Sequence, residues 1–367
     1  MSLNYSRLSK TRRFLPTLVA ITFFALITIG VFAKNNWFPS TDGITGTRSG
    51  WFGTTGTESP DSWFYSFAPP TPTPQLSKEY IYAGTRLLAV EDANASAVPP
   101  ADLAVWRPST GTWWVMGGES SAQVTQAWGM NGDKPVPGDY DGDGKTDFSI
   151  YRPSSGQWFV LQSSDNSWAP VFAWGTSTDI RVPADYDGDG KTDRAVWRPS
   201  DGVWYIVSSS GGTSSYQTFG ITGDVPASAD YDGDGRADIA VWRNSDQKFY
   251  SVNSSNGNLA VVTVGQSSGQ PVSSDYDGDG RADHAIRNGP NWIIRQSSNG
   301  QVMSVAWQQT TDVAVHNDYD GDGKTDIATW RNSNGTWYIR QSGSRNSLRQ
   351  VQWGIPEDIP VPAFYRR

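Results

Sequence analysis

The 367-residue chain contains no cysteine and only two histidines, His284 and His316. The absence of cysteine excludes disulfide bridges and thiol catalysis. Neither histidine has a partner that the sequence identifies, and we expect both to have packing or surface roles. The chain also lacks a nucleophile elbow, a phosphate-binding glycine loop and a zinc cluster. These absences predict a protein that is not an enzyme.

Basic residues are fewer than acidic ones, with 29 Lys and Arg against 37 Asp and Glu, so the formal net charge is −8. A nucleic-acid-binding surface requires a basic face, and this balance argues against a nucleic-acid partner. Helical periodicity is absent from about residue 92 onwards. Short β-branched and aromatic runs alternate there with Gly, Pro, Asn and Ser, a pattern that predicts strands and hairpins.

What the chain does contain is one nine-residue motif written five times, as DYDGDGKTD or DYDGDGRAD. Acidic side chains stand at motif positions 1, 3, 5 and 9. Carboxylates at alternate positions and the main-chain carbonyl at position 7 can surround a hard cation, and the glycine at position 6 makes the sharp bend. Ca²⁺ suits this oxygen cage better than Mg²⁺, which requires a rigid octahedron.

The motifs therefore predict about five Ca²⁺ sites, each with four carboxylates and one carbonyl. The predicted ligands are Asp139, Asp141, Asp143, Lys145 and Asp147; Asp185, Asp187, Asp189, Lys191 and Asp193; Asp230, Asp232, Asp234, Arg236 and Asp238; Asp275, Asp277, Asp279, Arg281 and Asp283; and Asp318, Asp320, Asp322, Lys324 and Asp326. Without metal the carboxylates of each motif repel one another, so we expect the metal to stabilise the fold.

The motifs begin at Asp139, Asp185, Asp230, Asp275 and Asp318, which gives steps of 46, 45, 45 and 43 residues. Periods of this size are typical of solenoids, propellers and arrays. Each period has room for four short strands, the size of a propeller blade. A strand–turn–strand core occurs six times, at Trp106, Tyr151, Trp197, Trp242, Ile286 and Trp330. The sequence predicts an all-β propeller of six four-stranded blades, or seven if Tyr80–Asp92 supplies extra strands.

The two ends of the repeat region are incomplete in complementary ways. The first core, around Trp106, has no acidic motif before it, and residues 94–101 stand in its place. The last residues, Ile359–Tyr365, match the first strand of a further repeat, with Phe364 at motif position 1. We predict that this C-terminal strand completes the first blade and closes the ring.

Two aromatic positions, one arginine position and one further aspartate position also recur. They are Trp113, Trp158, Trp204, Phe249, Trp292 and Trp337; Trp106, Tyr151, Trp197, Trp242 and Trp330; Arg107, Arg152, Arg198, Arg243, Arg287 and Arg331; and Asp133, Asp179, Asp224, Asp312 and Asp358. We predict that the aromatic residues fill the space between blades, the alternative being pockets that stack on sugars. The arginines are expected to stack on those tryptophans or to pair with motif aspartates, the alternative being a site for anionic glycans.

The N-terminal region has the features of an export signal. Basic residues from Arg7 to Arg13 precede an apolar run from Phe14 to Ala33, and Val31–Ala33 resembles a cleavage site. The run of about 20 residues is also long enough to span a bilayer, so residues 1–33 are a signal peptide or an uncleaved signal anchor. Residues 34–78 have the Gly/Thr/Ser/Pro composition of a linker, and residues 79–367 form the predicted propeller.

The Asp-x-Asp-x-Asp-Gly-x-x-Asp motifs within β-repeats resemble those of the FG-GAP/VCBS repeat family, which includes the propellers of integrin α-subunits. Phe219–Gly220 spells FG, and Trp128–Gly129, Trp174–Gly175 and Trp353–Gly354 stand in equivalent places, without a following GAP. The resemblance implies recognition of proteins or carbohydrates through loops on one face. The corresponding loops are Gln162–Asn166, Ser208–Ser214, Asn253–Asn258, Ser297–Gly300 and Ser342–Ser347.

Taken with the export signal, these features predict a secreted or surface-tethered, monomeric, calcium-stabilised propeller. Its predicted role is that of a non-catalytic binding or adhesion module for a protein or glycan ligand on the propeller face. Contact with a membrane is expected only through the N-terminal segment, if it is uncleaved. The alternatives are a carbohydrate-active propeller, either a lectin or a polysaccharide lyase, and a purely structural surface protein.

Overall fold

A computed structural model of the chain describes residues 79–83, 86–91, 99–118, 122–264, 269–343 and 347–365. The predicted signal segment at 1–33 and the predicted linker at 34–78 lie outside these residues. Within the described ranges the regular structure consists of β-strands. No helix in those ranges has the length and apolar character needed to cross a membrane.

The described residues form 26 short strands. In chain order they are β1 (Glu79–Ala83), β2 (Arg86–Glu91), β3 (Leu103–Arg107), β4 (Thr112–Met116), β5 (Gln123–Ala127), β6 (Lys134–Pro135), β7 (Phe148–Arg152), β8 (Gln157–Leu161), β9 (Phe172–Ala173), β10 (Ile180–Arg181), β11 (Arg194–Arg198), β12 (Val203–Val207), β13 (Ser214–Thr218), β14 (Val225–Pro226), β15 (Ile239–Arg243), β16 (Lys248–Val252), β17 (Leu259–Thr263), β18 (Gln270–Pro271), β19 (His284–Asn288), β20 (Asn291–Arg295), β21 (Val302–Ala306), β22 (Val313–Ala314), β23 (Ile327–Arg331), β24 (Thr336–Arg340), β25 (Leu348–Gln352) and β26 (Ile359–Pro360).

These strands build six four-stranded antiparallel sheets, the blades of a β-propeller. Blade 1 has the order β26-β3-β4-β5, and blades 2 to 6 are β6–β9, β10–β13, β14–β17, β18–β21 and β22–β25. The predicted all-β, six-bladed fold is confirmed. The seven-blade alternative is wrong, because β1 and β2 pair only with each other in a separate two-stranded sheet.

The C-terminal strand closes the ring, as the sequence predicts. Ile359 and Pro360 of β26 pair with Trp106 and Val105 of β3. These are the last and the first strands of the repeat region. A bridge between Asp102 and Ala363 extends this pairing. Blade 1 therefore takes its first strand from the C-terminus, which joins the two ends of the repeat region.

Main-chain hydrogen bonds between the motif loops tie each blade to the next. The amide at motif position 8 donates to the carbonyl at position 1 of the preceding motif, as from Thr192 to Asp139 at 2.6 Å. The remaining bonds of this kind run from Ala237 to Asp185, Ala282 to Asp230, Thr325 to Asp275, Ala101 to Asp318 and Thr146 to Phe364. The six bonds form a closed series around the ring. Ala101 and Phe364, at the two ends of the repeat region, take the places of residues in a missing sixth motif.

Both recurrent aromatic positions are buried between blades, as predicted. Trp106 and Trp113 of blade 1 are 0 % exposed and share a cluster with Ile150 of blade 2. Their indole Nε1 atoms both donate to the carbonyl of Trp128, at 3.2 and 2.9 Å. Side chains without solvent exposure cannot stack on a sugar, so the alternative of glycan pockets at these two positions is wrong.

The recurrent arginines pair with a different set of aspartates from the one predicted. Arg198 donates from Nε and Nη2 to Asp179 at 2.8 and 3.0 Å, and its guanidinium lies 4.2 Å from the ring centre of Tyr205. Four other pairs share this geometry: Arg107–Asp358, Arg152–Asp133, Arg243–Asp224 and Arg331–Asp312. The partner is therefore the aspartate ahead of the first strand of the same blade, and the prediction of pairing with motif aspartates is wrong.

Strand alternation explains the corrected stacking partner. In the register of β11 and β12, Trp197 faces Trp204 while Val196 faces Tyr205. Arg198 is two residues from Val196, so it lies on the same side of the sheet as Tyr205 and on the opposite side from both tryptophans. Arg287 does not belong to this set. It lies opposite Trp292 in the register of β19 and β20, the position that Trp197 occupies opposite Trp204 in blade 3.

The Arg198–Asp179 pair gives an asymmetric mutational prediction. The Asp179 side chain is 0 % exposed and that of Arg198 is 24 % exposed, so Arg198→Ala leaves a buried carboxylate whereas Asp179→Ala leaves an arginine that can turn to solvent. We expect Arg198→Ala to destabilise the fold by about 3 kcal/mol, and Asp179→Ala by less. Urea denaturation of both single variants and the double variant measures the coupling. Additive losses would contradict the pairing.

Candidate metal sites and the loops attached to them

The first aspartate of each motif organises its loop. Asp139 accepts hydrogen bonds from the amides of Gly142 and Gly144, at 2.6 Å on Oδ1 and 2.8 Å on Oδ2. The two glycines have φ angles of +82° and +84°, a region that disfavours other residues. A Cβ at Gly142 would lie 2.9 Å from Cε of Lys191, which belongs to the next motif. Glycine at position 4 thus allows both the turn and the contact between blades.

The last aspartate of each motif is fully buried. Asp147 accepts from the amides of Tyr140 and Ser163, at 2.8 and 2.7 Å. Burial, with a further contribution from neighbouring aspartates, raises the pKa of Asp147 to about 6 and that of Asp326 to about 7. The same position is 0 % exposed in all five motifs. These carboxylates therefore lie where an ionised form needs a compensating cation.

The structure gathers three carboxylates in each motif, with one oxygen of each within 4.8 Å of the others. Positions 1, 3 and 9 meet in three motifs, and positions 1, 3 and 5 meet in two. The groups are Asp139, Asp141 and Asp147; Asp185, Asp187 and Asp193; Asp230, Asp232 and Asp234; Asp275, Asp277 and Asp279; and Asp318, Asp320 and Asp326. The other predicted carboxylates, Asp143, Asp189, Asp238, Asp283 and Asp322, lie outside these groups.

The basic side chains at position 7 extend toward the preceding motif, although the guanidinium of Arg236 also donates to Asp234 of its own motif, at 2.7 Å from Nη2. The stems of Lys191, Arg236, Arg281 and Lys324 lie against the position-4 glycine of the preceding motif. The amide of Lys145 donates to Asp143 Oδ1 at 2.8 Å, and the other motifs repeat this bond. This arrangement is compatible with the predicted use of the main-chain carbonyl at position 7 as a ligand.

Two carboxylate oxygens show that the motifs fit a hard cation. Oδ1 of Asp277 and Oδ1 of Asp320 are buried and accept no hydrogen bond from the described residues. Both are at motif position 3 and belong to the three-carboxylate groups. A buried oxygen without a donor is costly, and coordination to a cation with a preference for oxygen would satisfy it. The aspartate clusters can therefore bind metal ions.

Sequence reasoning missed a pair of serines that donates hydrogen bonds to the aspartates of four motifs, replaced by a serine and a glycine in the fifth. Ser163 Oγ donates to Asp143 Oδ1 at 2.9 Å, and Ser164 Oγ donates to Asp141 Oδ2 at 2.7 Å. The equivalent pairs are Ser209–Ser210, Ser254–Ser255, Ser297–Ser298 and Ser342–Gly343. The sequence contains a sign of this arrangement, because the first serine follows the first aspartate of its motif by a constant 24 residues in four repeats. These serines are Ser163, Ser209, Ser254 and Ser342.

These serines belong to the loops that the family resemblance marks as ligand loops. The loops join the third and fourth strands of blades 2 to 6, and they lie directly against the metal motifs. Ser163 also donates its amide to the buried Asp147, at 2.7 Å. Each metal motif and the neighbouring exposed loop thus form one hydrogen-bonded unit at the same end of the blade.

The two histidines pack against aromatic rings. His284 stacks on Tyr231 of the preceding blade, with ring centres 4.3 Å apart and planes at 17°. His316 meets the edge of Trp292 at 6.0 Å. Burial lowers the pKa of both imidazoles to about 4. Both residues therefore have packing roles, as the sequence predicts.

Comparison with known proteins agrees with this architecture. A family model described as an FG-GAP-like repeat matches residues 185–241, which begin at the second motif and continue through the third. No curated protein sequence matches the chain significantly.

Several solved structures are similar to this chain at low sequence identity. TolB from Acinetobacter baumannii has a TM-score of 0.50 and 14 % identity, over 75 % of this chain and 72 % of that chain. An Agrocybe aegerita lectin that recognises non-reducing terminal N-acetylglucosamine has a TM-score of 0.47 and 14 % identity, over 70 % and 90 % of the two chains. Virginiamycin B lyase from Staphylococcus aureus has a TM-score of 0.44 and 10 % identity, over 73 % and 88 %. With its aspartate motifs and closed ring of six blades, the chain is a β-propeller that contains an FG-GAP-like repeat.

Proposed function

We propose that this propeller is a calcium-stabilised, non-catalytic binding module for a protein or carbohydrate ligand, and that it is secreted or held at the cell surface. The observation that supports it most is the hydrogen-bonded unit of metal motif and exposed loop, repeated in five blades. A cation that fixes the aspartates also fixes the serines bonded to them. Metal binding then makes the loop surface rigid, which reduces the entropy lost on binding a ligand.

The donor set favours Ca²⁺ as the cation. Each motif offers carboxylate oxygens from a glycine-rich loop, and such flexible oxygen cages match the variable coordination of Ca²⁺. Extracellular calcium modules bind with dissociation constants of roughly 10⁻⁴ to 10⁻³ M. This range fits the proposed location outside the cytoplasm, for which the basic and apolar N-terminal sequence is the support.

A groove lies between blades 5 and 6, beside the motif that contains Asp277, and we propose it as the ligand site. Its volume is about 370 Å³, and its lining includes Asn299, Met303, Lys324 and Arg340. Arg340 pairs across the sheet with Ile327, a register position that Val207 occupies in blade 3. A basic side chain therefore replaces an aliphatic one at this junction. Amide and basic groups beside the apolar side chain of Met303 suit a polar ligand such as a glycan.

We propose a non-catalytic module because the recurrent ionisable groups and the two histidines already have roles in the fold. The motif aspartates have repeated roles in their loops, and His284 and His316 are packed among aromatic rings. The recurrent arginines hold buried aspartates. A catalytic group is needed once, whereas these groups recur from blade to blade.

A glycan array probed with the full chain, in Ca²⁺ and in EGTA, tests the proposal. We expect saturable binding to related glycans without product, lost in EGTA, and weakened at least tenfold by Arg340→Ala. Arg295→Ala, which removes an equivalent charge from blade 5, is the matched control and should retain binding. Cleavage of a bound glycan would indicate a lyase instead. A folded chain that binds neither glycans nor cell-surface proteins would contradict the proposal.

A further inference from the structure

Blade 5 departs from the repeat at a buried position. Arg287 of β19 pairs with Trp292 of β20, in the same register as Trp197 with Trp204 in blade 3. Other blades have Trp106, Tyr151, Trp197, Trp242 or Trp330 at this position, all of them essentially unexposed. Arg287 is also buried, at 7 % exposure. A guanidinium group thus lies where the fold otherwise places an aromatic ring.

The charge of Arg287 is not balanced by a carboxylate of its own. Its Nη1 donates to the carbonyl of Asp312 at 2.5 Å, and its Nη2 donates to the carbonyl of Gln309 at 2.9 Å. The side chain of Asp312 accepts from Nε and Nη2 of Arg331, both at 2.9 Å. One carboxylate therefore lies near two guanidinium groups, which leaves an excess positive charge in a buried place. Buried charges are normally paired.

Two buried N–H groups in this place have no acceptor among the described residues. They are Nε of Arg287 and Nε1 of Trp292. In blade 3 the corresponding indoles of Trp197 and Trp204 converge on one carbonyl, that of Phe219, at 3.1 and 2.9 Å. In blade 3 one acceptor therefore serves both side-chain positions, and no described residue supplies one in blade 5.

In blade 5 the residue equivalent to Phe219 is Trp307, and the backbone that follows it has a different conformation. Gly220 follows the acceptor residue of blade 3 and has a φ of +105°, whereas Gln308 follows Trp307 and has a φ of +58°. The hairpin that joins β19 and β20 is also shortened, with two residues between the strands instead of four. These changes accompany the loss of the carbonyl acceptor, and the two N–H donors of blade 5 remain buried without a partner among the described residues.

We propose that a small monovalent anion, of the size of chloride, binds between Nε of Arg287 and Nε1 of Trp292. A water molecule would satisfy the two N–H groups but leave the excess charge, whereas an anion satisfies both requirements. The strand β19 begins next to motif aspartate Asp283 and ends beyond Arg287. The anion site therefore lies toward the opposite end of blade 5 from the metal motif and its serine loop.

Crystals of the wild-type chain grown or soaked in bromide provide the direct test. We expect an anomalous difference peak within hydrogen-bonding distance of both nitrogens. Absence of a bromide peak at this site would overturn the proposal, and so would a water molecule at the site in both chloride and bromide crystals. This measurement uses no variant, so it does not depend on the folding of a mutant.

Melting in Ca²⁺ with sodium chloride or sodium gluconate at equal ionic strength provides the second test. Chloride should raise the wild-type melting temperature by about 2 °C relative to gluconate. Arg287→Trp restores the residue found in most other blades and should abolish this difference. Arg295→Gln removes a cation from the same blade and should preserve it. A chloride effect of equal size in Arg287→Trp would overturn the assignment.

Discussion

Removal of Ca²⁺ with EGTA is expected to lower the melting temperature of the propeller by more than about 10 °C, and added Ca²⁺ should restore it. With a dissociation constant of about 10⁻⁴ M and about 1 mM Ca²⁺, each site contributes RT ln 11, or about 1.4 kcal/mol. Five such sites contribute about 7 kcal/mol, which is comparable to the net stability of a whole domain. Each kcal/mol corresponds to roughly 2 °C for a domain of this size.

The position of the motifs explains why the loss should affect the whole ring. Their main chains carry the hydrogen bonds between blades, as from Thr192 to Asp139. Their last aspartates, such as Asp147, are fully buried beside other carboxylates. Without a cation, repulsion acts directly at the inter-blade connections. We therefore expect the metal-free form to lose stability throughout the ring.

Single-site variants separate this effect from general chelator effects. Asp187→Asn combined with Asp189→Asn should remove one site and about one fifth of the calcium-dependent shift, while neighbouring blades remain folded. Glu357→Gln, an exposed carboxylate outside the motifs, is the matched control and should leave the shift unchanged. Differential scanning calorimetry at several Ca²⁺ concentrations measures both. A melting temperature that EGTA leaves unchanged would contradict a structural cation.

The sequence predicted the features that depend on order along the chain. The six strand–turn–strand cores predicted six blades, with seven as the alternative, because each repeat holds one four-stranded unit. The match of Ile359–Tyr365 to a first strand was sufficient to predict how the ring closes. The clustering of alternate motif carboxylates followed from the motif itself.

Features that depend on the side of the sheet could not be predicted in the same way. The pairing of Arg198 with Asp179 requires knowledge that the segment before β10 returns over the end of β11. The position of Arg287 was misassigned because it was aligned with the recurrent arginines, whereas the register places it opposite Trp292. The serine pairs were overlooked because a Ser-rich loop resembles an ordinary turn until its contacts with Asp141 and Asp143 are known.

Deletion of the closing strand by truncation after Asp358 is expected to abolish cooperative unfolding of the ring or to lower its melting temperature by more than about 10 °C. The deletion removes Val361 and Tyr365 from the cluster that contains Trp106 and Trp113. Burial of each such side chain contributes about 1.5–3 kcal/mol. The truncation retains Asp358 and hence its ion pair with Arg107, so it isolates the strand itself.

The truncation also opens the series of bonds between blades at one point. Tyr365 stacks on Phe148 of blade 2 with ring centres 5.2 Å apart, and Phe364 exchanges hydrogen bonds with Thr146. Loss of these contacts weakens the junction between blades 1 and 2 and exposes β3 as an unpaired edge, which promotes association between chains. We therefore expect the truncated chain to form oligomers in sedimentation experiments, in addition to its lower stability.

A synthetic peptide of residues 356–367 distinguishes loss of the strand from nonspecific damage. Added in trans, it should pair with β3 as an added strand, raise the melting temperature and reduce oligomers. Truncation after Tyr365 removes only Arg366 and Arg367 and is the matched control, with an expected melting temperature close to that of the full chain. One cooperative transition at the wild-type temperature after truncation at Asp358 would show that the ring does not depend on its C-terminal strand. The closing strand would then be an appendage of blade 1, and the stability of the propeller would have to come from the five blades that carry aspartate motifs.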